Sequence, residues 1–190
     1  MQTRPDLRPR DHGGDLDAAI ARFGGARPDW IDLSTGINPV PYPLPDLPPD
    51  LWRALPDTGA SQALRDAARL FWSVPDGAGI LPAPGASALI AAMPRLADPG
   101  AVRIDPPTYN EHAAAFRAEG WTVTGAGPAQ ARVLVHPNNP DGRVWRDLDA
   151  DAPLSVIDES FCDVLPEASL VALAERPGVV VLKSFGKFWG

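Results

Sequence analysis

The sequence runs to 190 residues, 45% of them hydrophobic, with 17 basic and 24 acidic side chains and a formal charge of -7. That length supports one ordinary domain with a real core, and an acidic balance without any Lys/Arg run excludes a surface that tracks nucleic acid. A single cysteine, Cys162, excludes a disulfide framework and a cysteine-rich metal site, and no run of about 18 apolar residues is present to cross a membrane as a helix.

In chain order, the polar residues 1–10 predict a flexible arm, and the lack of an apolar signal region up to Gly14 predicts a cytoplasmic protein. Residues 15–25 predict a short helix, with Asp15 as cap, Leu16, Ile20 and Phe23 on one face, and Gly24-Gly25 as the stop. A short extended piece follows over 30–33, and over 38–56 the prolines are too dense for a helix or a central strand, which predicts an extended connector. Residues 61–72 place Leu64, Ala67, Ala68 and Phe71 on a helical stripe. The remainder predicts strands over 79–81, 102–104, 121–123, 133–135, 154–157 and 179–182, and helices over 87–96, 111–119 and 169–175, the first of them disturbed at Pro94. Short apolar runs alternating with helices give an α/β fold, a mostly parallel sheet with helices on both faces, preceded by the N-terminal arm.

In such a sheet a ligand sits beyond the carboxyl ends of the strands. The residues just after the apolar runs are Pro84-Gly85-Ala86-Ser87, Pro106-Pro107-Thr108-Tyr109, His136-Pro137-Asn138-Asn139-Pro140-Asp141-Gly142, Asp158-Glu159-Ser160-Phe161 and Ser184-Phe185-Gly186-Lys187. Each alone has a plain reading: a turn, a helix start capped by Ser87, a solvated strand end, a surface lysine. Together they supply what pyridoxal phosphate needs. Gly85, Ala86 and Ser87 offer backbone N–H groups and a hydroxyl for its phosphate, with Ser184 as a second hydroxyl. Tyr109 offers an aromatic face, Asn139 an amide donor for the ring oxygen, Asp158 a carboxylate for the ring nitrogen, and Lys187 an amine for the aldehyde.

The runs at His136 to Gly142, Asp158 to Phe161 and Lys183-Ser184-Phe185-Gly186-Lys187-Phe188 resemble the three successive motifs of class I/II aminotransferase-like, fold-type-I pyridoxal-phosphate enzymes. His12-Gly13-Gly14-Asp15 and Asp32-Leu33-Ser34-Thr35-Gly36-Ile37-Asn38-Pro39 are similar to the opening of the L-threonine-O-3-phosphate decarboxylase family of cobalamin biosynthesis, and the resemblance runs from His12 to Gly190. It implies Lys187 and Asp158 as catalytic residues and Gly85, Ala86, Ser87, Tyr109, Asn139 and Ser184 as further cofactor contacts. His12 is then expected near the phosphate of a phosphorylated amino-acid substrate, and Asn38 in a loop that closes over it. A homodimer is implied, as is an organisation of 1–45 as arm and small-domain segment and 46–190 as part of the cofactor-binding large domain.

Three positions depart from the pattern. Phe161 stands where many aminotransferases carry a tyrosine, which favours the decarboxylases; Gly36 replaces an asparagine expected to help with the substrate phosphate; and Leu55 replaces a tyrosine that reaches a neighbouring subunit. Family members continue past the lysine through an arginine for the cofactor phosphate and a C-terminal small domain, so this chain is expected to be a truncated portion of the family's length. The reaction implied is decarboxylation of L-threonine O-3-phosphate to (R)-1-aminopropan-2-yl phosphate. The rivals are a histidinol-phosphate-type aminotransferase, which shares the cofactor motifs, and a non-catalytic remnant.

Overall fold

The structure, a computed structural model, describes residues 12–145 and 152–190; the arm expected over 1–10 lies outside them. Five short strands, β1 Ala101–Ile104, β2 Thr122–Thr124, β3 Ala131–Val135, β4 Leu154–Asp158 and β5 Val179–Leu182, pair in parallel in the order β2-β1-β3-β4-β5. Central strands β3 and β4 are buried along their whole length, which is why Val133-Leu134-Val135 and Val156-Ile157 read as apolar runs and not as strict alternation.

Register aligns Val102, Ala131 and Leu154 in one row and Ile104, Val133, Val156 and Val180 in the next. These rows face helices α3 Ala86–Ala92 and α4 Asn110–Ala118, which contribute Ile90 and Phe116 to the same core. Phe116 is fully buried and meets Trp121 edge-to-face at 5.2 Å, a contact that adds about 1 kcal/mol to the burial of either ring. Leu134 and Ile157 are buried outside that core cluster, as is Val171 from a 3-10 turn between β4 and β5. From β1 the chain runs through α4 outward to β2, whereas β3, β4 and β5 step the other way. Right-handed crossovers then put α4 and the β4–β5 connection on opposite faces, and the reversal opens a crevice at the carboxyl ends beside β1 and β3.

Ahead of the sheet, α1 Leu16–Phe23 is capped by Asp15, whose carboxylate accepts from Ala18 N–H at 3.0 Å, and ends at Gly24 with φ 79°. Helix α2 Thr58–Phe71 starts earlier than the Ser61 expected, because Asp57 caps it through Ala60 N–H at 2.7 Å. Between Ile31 and Pro56 the one regular piece is the 3-10 turn Pro49–Trp52, as the prolines dictate.

Two expected elements differ. Residues 79–81 form no ladder; Pro82 and Pro84 follow at once and remove backbone donors. The helix expected over 169–175 is a 3-10 turn, Val171–Glu175, because Glu159 captures its first donors: Ser169 Oγ donates to Glu159 Oε2 at 2.7 Å and Leu170 N–H to Oε1 at 2.5 Å. Pro94 has the expected effect, converting the end of α3 into a 3-10 turn, Met93–Leu96.

Candidate functional site

At the carboxyl ends of the strands lies a cleft of about 170 Å³. Ala86, Ser87, Tyr109, Asn139, Asp158, Ser184 and Lys187 all line it, joined by Ser160, Phe161 and Ile90. Gly85 is the residue before α3, at φ 92°, a conformation glycine reaches without strain, and no side chain caps the N–H groups of that turn. His12 and Asn38 lie elsewhere. His12 Nε2 sits 3.0 Å from Glu111 Oε1 on α4, and the Asn38 side chain donates to the Phe188 carbonyl at 2.9 Å.

Each wall has its own support. Asn138 braces the loop after β3: its amide donates to the Pro107 carbonyl at 2.9 Å and to Asp141 at 2.7 Å, and its oxygen accepts from Thr108 at 2.6 Å. Neighbouring Asn139 is left to face the cleft. His136 is held between the Ala168 carbonyl, to which Nε2–H donates at 2.7 Å, and Trp145 N–H, which donates to Nδ1 at 3.1 Å.

Asp158, at the end of β4, is 2% exposed. Burial works to raise its carboxyl, but hydrogen bonding to His112 at 2.8 Å, the charge there, and donation from Ser160 N–H and Oγ hold it below the ordinary aspartate value. The floor of the cleft therefore carries a fixed anion. The sequence reading missed His112, whose spacing on α4 marks it only as a core-facing position; nothing local ties it to a residue 46 positions away.

Only two lysines occur in the chain, and they have different surroundings. Lys183 is spent on Glu159 at 2.6 Å, whereas Lys187 makes no ion pair among the described residues and lies 5.7 Å from the Phe161 ring. One unengaged amine thus shares a cleft with a buried carboxylate, two serine hydroxyls, an amide and an aromatic ring, a donor set that fits pyridoxal phosphate. At Gly36, where an asparagine was expected by resemblance, a Cβ would lie 2.7 Å from the Phe161 ring, so Phe161 occupies that space.

His136, Glu159 and Cys162 form a buried cluster within 4.8 Å, behind the cleft. Its donor atoms are already employed: those of His136 and Glu159 as above, and Cys162 Sγ on the Leu165 carbonyl at 3.6 Å. Burial, with Glu159 beside it, pushes the Cys162 thiol up to about 11, away from the thiolate a metal binds.

No family model matches the chain. It is 38% identical to threonine-phosphate decarboxylase of Pseudomonas aeruginosa, with 95% of this chain and 58% of the relative covered, and 38% identical to that of a Sinorhizobium species, with 96% and 60% covered. The chain is a sequence relative of the threonine-phosphate decarboxylases. It spans about three-fifths of the length of these decarboxylases. Histidinol-phosphate aminotransferase of Desulfitobacterium hafniense is more distant, at 28% identity over 85% of this chain. Among solved structures, the decarboxylase of Porphyromonas gingivalis superposes with a TM-score of 0.55 at 24% identity, covering 70% of this chain and 49% of that one. Histidinol-phosphate aminotransferase from Clostridium acetobutylicum superposes at 0.64 and 17% identity, covering 82% and 56%. The decarboxylases and aminotransferases share this fold, as the sequence led us to expect.

Proposed function

We propose that this chain carries the pyridoxal-phosphate site of a threonine-phosphate decarboxylase, acting on L-threonine O-3-phosphate in cobalamin biosynthesis and releasing (R)-1-aminopropan-2-yl phosphate. The observation that carries the reading is the convergence of Lys187, Asp158, Tyr109, Asn139, Ser87 and Ser184 on one cleft, in a chain 38% identical to such decarboxylases. When bound, pyridoxal phosphate supplies an electron sink for the pair left at Cα as carbon dioxide departs.

The protein's own groups do the rest. Asp158, ionised and buried, keeps a proton on the ring nitrogen, a role that a neutral side chain there would not fill. Tyr109 covers the ring, and Asn139 donates to its phenolic oxygen. Ser87, Ser184 and the first N–H groups of α3, with Gly85 and Ala86 shaping the turn, take the phosphate. Lys187 is the amine that would hold the cofactor at its aldehyde, and as an ammonium it would supply the proton at Cα. The resemblance alone assigns His12 to the substrate phosphate; here it stands on Glu111, outside the cleft lining.

A homodimer is part of the reading, supported by the exposed apolar side chains of the connector, where Leu44, Trp52 and Leu55 are 72%, 74% and 91% exposed. A cytoplasmic location is supported by the lone, unpaired Cys162; no helix among the described residues is long and apolar enough to cross a membrane.

Borohydride reduction of the chain incubated with pyridoxal phosphate, followed by peptide mapping, is the test. We expect the label on Lys187; label confined to Lys183, or none, refutes the site. The second reading, amino transfer, is favoured by the 28% identity to a histidinol-phosphate aminotransferase. Given the same loaded protein, transfer of the amino group of histidinol phosphate to 2-oxoglutarate, giving glutamate, without release of carbon dioxide from threonine phosphate would select it.

A further inference from the structure

The segment that carries Lys187 is tied from behind by the proline-rich connector. Asn38 N–H donates to the Lys187 carbonyl at 2.9 Å, and the Asn38 side-chain amide donates to the next carbonyl, that of Phe188, also at 2.9 Å. Tyr42 N–H donates to the Trp189 carbonyl at 2.7 Å, and the two rings meet edge-on at 5.4 Å. Three successive carbonyls, 187 to 189, therefore take donors from one short stretch of connector. Asn38 is engaged at the other end of its amide as well, since Oδ1 accepts from Val40 N–H at 3.0 Å, so the connector's own bend and its hold on Phe188 depend on one side chain.

These contacts matter because a long, rotatable lysine is located chiefly by its backbone. Lys187 has no ion pair among the described residues to direct its amine, and the 5.7 Å approach to Phe161 is loose. The position of its Cα is set by the tether, on a residue 150 positions from Phe188. We propose that Asn38 is a positioning residue for Lys187, fixing the backbone from which the amine enters the cleft; the proposal rests on the cofactor reading only for the identity of the aldehyde the amine meets. The resemblance places Asn38 in the loop over the substrate, and in the fold its amide holds the protein's own chain.

The test compares the full chain with Asn38→Asp, which keeps the acceptor for Val40 and replaces the donor to Phe188 by an oxygen. Capture of pyridoxal phosphate at Lys187, fixed by borohydride, is expected to slow about tenfold, while affinity for pyridoxamine phosphate, which needs no lysine, stays within about twofold. Acetylation of Lys183, locked on Glu159, is the internal reference for general loosening and is expected to be unchanged. Capture at the unaltered rate overturns the proposal. So does a parallel fall in pyridoxamine phosphate affinity, which would make Asn38 a cleft contact, or faster acetylation of Lys183, which would make its role merely structural. If the unaltered chain captures no pyridoxal phosphate, the cofactor reading fails and the tether is judged by Lys187 acetylation. A change of about threefold or more in Asn38→Asp supports the tether, and an unchanged rate sinks it.

Discussion

His112 Nε2 lies 2.8 Å from Asp158 Oδ2, and both side chains are sealed from solvent. The contact joins α4 to the end of β4 and makes the cleft floor part of the core. Replacing His112 by Phe at pH 7 leaves a buried carboxylate short of a partner and is expected to lower the unfolding free energy by about 3 kcal/mol. The sign of the pH dependence follows from Asp158. Its folded value is depressed, so its contribution is present above the unfolded value near 4 and is lost as pH falls through the lower folded value. Urea titrations should therefore show the deficit of His112→Phe shrinking below about pH 4; an equal deficit at pH 7 and pH 3 would refute the account.

The two lysines should separate stability from chemistry. Lys187→Ala is expected to unfold within about 0.5 kcal/mol of the unaltered protein while losing all borohydride-fixed cofactor. Lys183→Ala strands Glu159, 1% exposed, and is expected to cost about 3 kcal/mol. Thermal melts with mass mapping decide it, and a reversal of the two phenotypes would overturn the assignment.

Asp163 ties two indoles across the lysine segment, accepting from Trp72 Nε1 at 2.8 Å on one oxygen and from Trp189 Nε1 at 2.9 Å on the other. In Asp163→Asn one oxygen becomes a donor that faces an indole N–H, so one bond is lost at a cost of about 1–2 kcal/mol. Trp72 also stacks on Phe185 at 5.2 Å, and near-ultraviolet dichroism should report the loosened aromatic group. An unchanged spectrum and melting temperature would show that the carboxylate does not hold the pair.

Gly36→Ala places a methyl 2.7 Å from the Phe161 ring, which can turn only by moving within the cleft wall. We expect a stability cost below about 1 kcal/mol, since the obstacle is the far edge of a side chain, together with slower capture of pyridoxal phosphate by Lys187. Stopped-flow absorbance measures the capture, and an undiminished rate would mean that Phe161 yields without consequence.

The cleft residues were legible because parallel strands announce themselves as short apolar runs and ligand-facing groups come next in the chain: Asp158 after Val156-Ile157, Lys187 shortly after Leu182. What escaped was long-range. No local pattern says that His112 reaches Asp158, or that Glu159 draws Ser169 and Leu170 toward it and tightens an apolar stretch that reads as a helix. The strand expected at 79–81 failed for a related reason, since an apolar triplet becomes a strand only where a neighbour offers a ladder, and Gly79-Ile80-Leu81 finds none. Asn38 was read by resemblance as a substrate contact, and only the folded chain places its amide on Phe188.

With side-chain amines at two positions and one of them held on a glutamate, Lys187 is the more open of the two to lysine-directed reagents. Coupling the protein to a bead or chip through that side chain would plug the very cleft meant for display. A dye attached to Lys187, distinguished by peptide mapping from label on the α-amine, would brighten or dim as phosphates and carboxylates enter beside it.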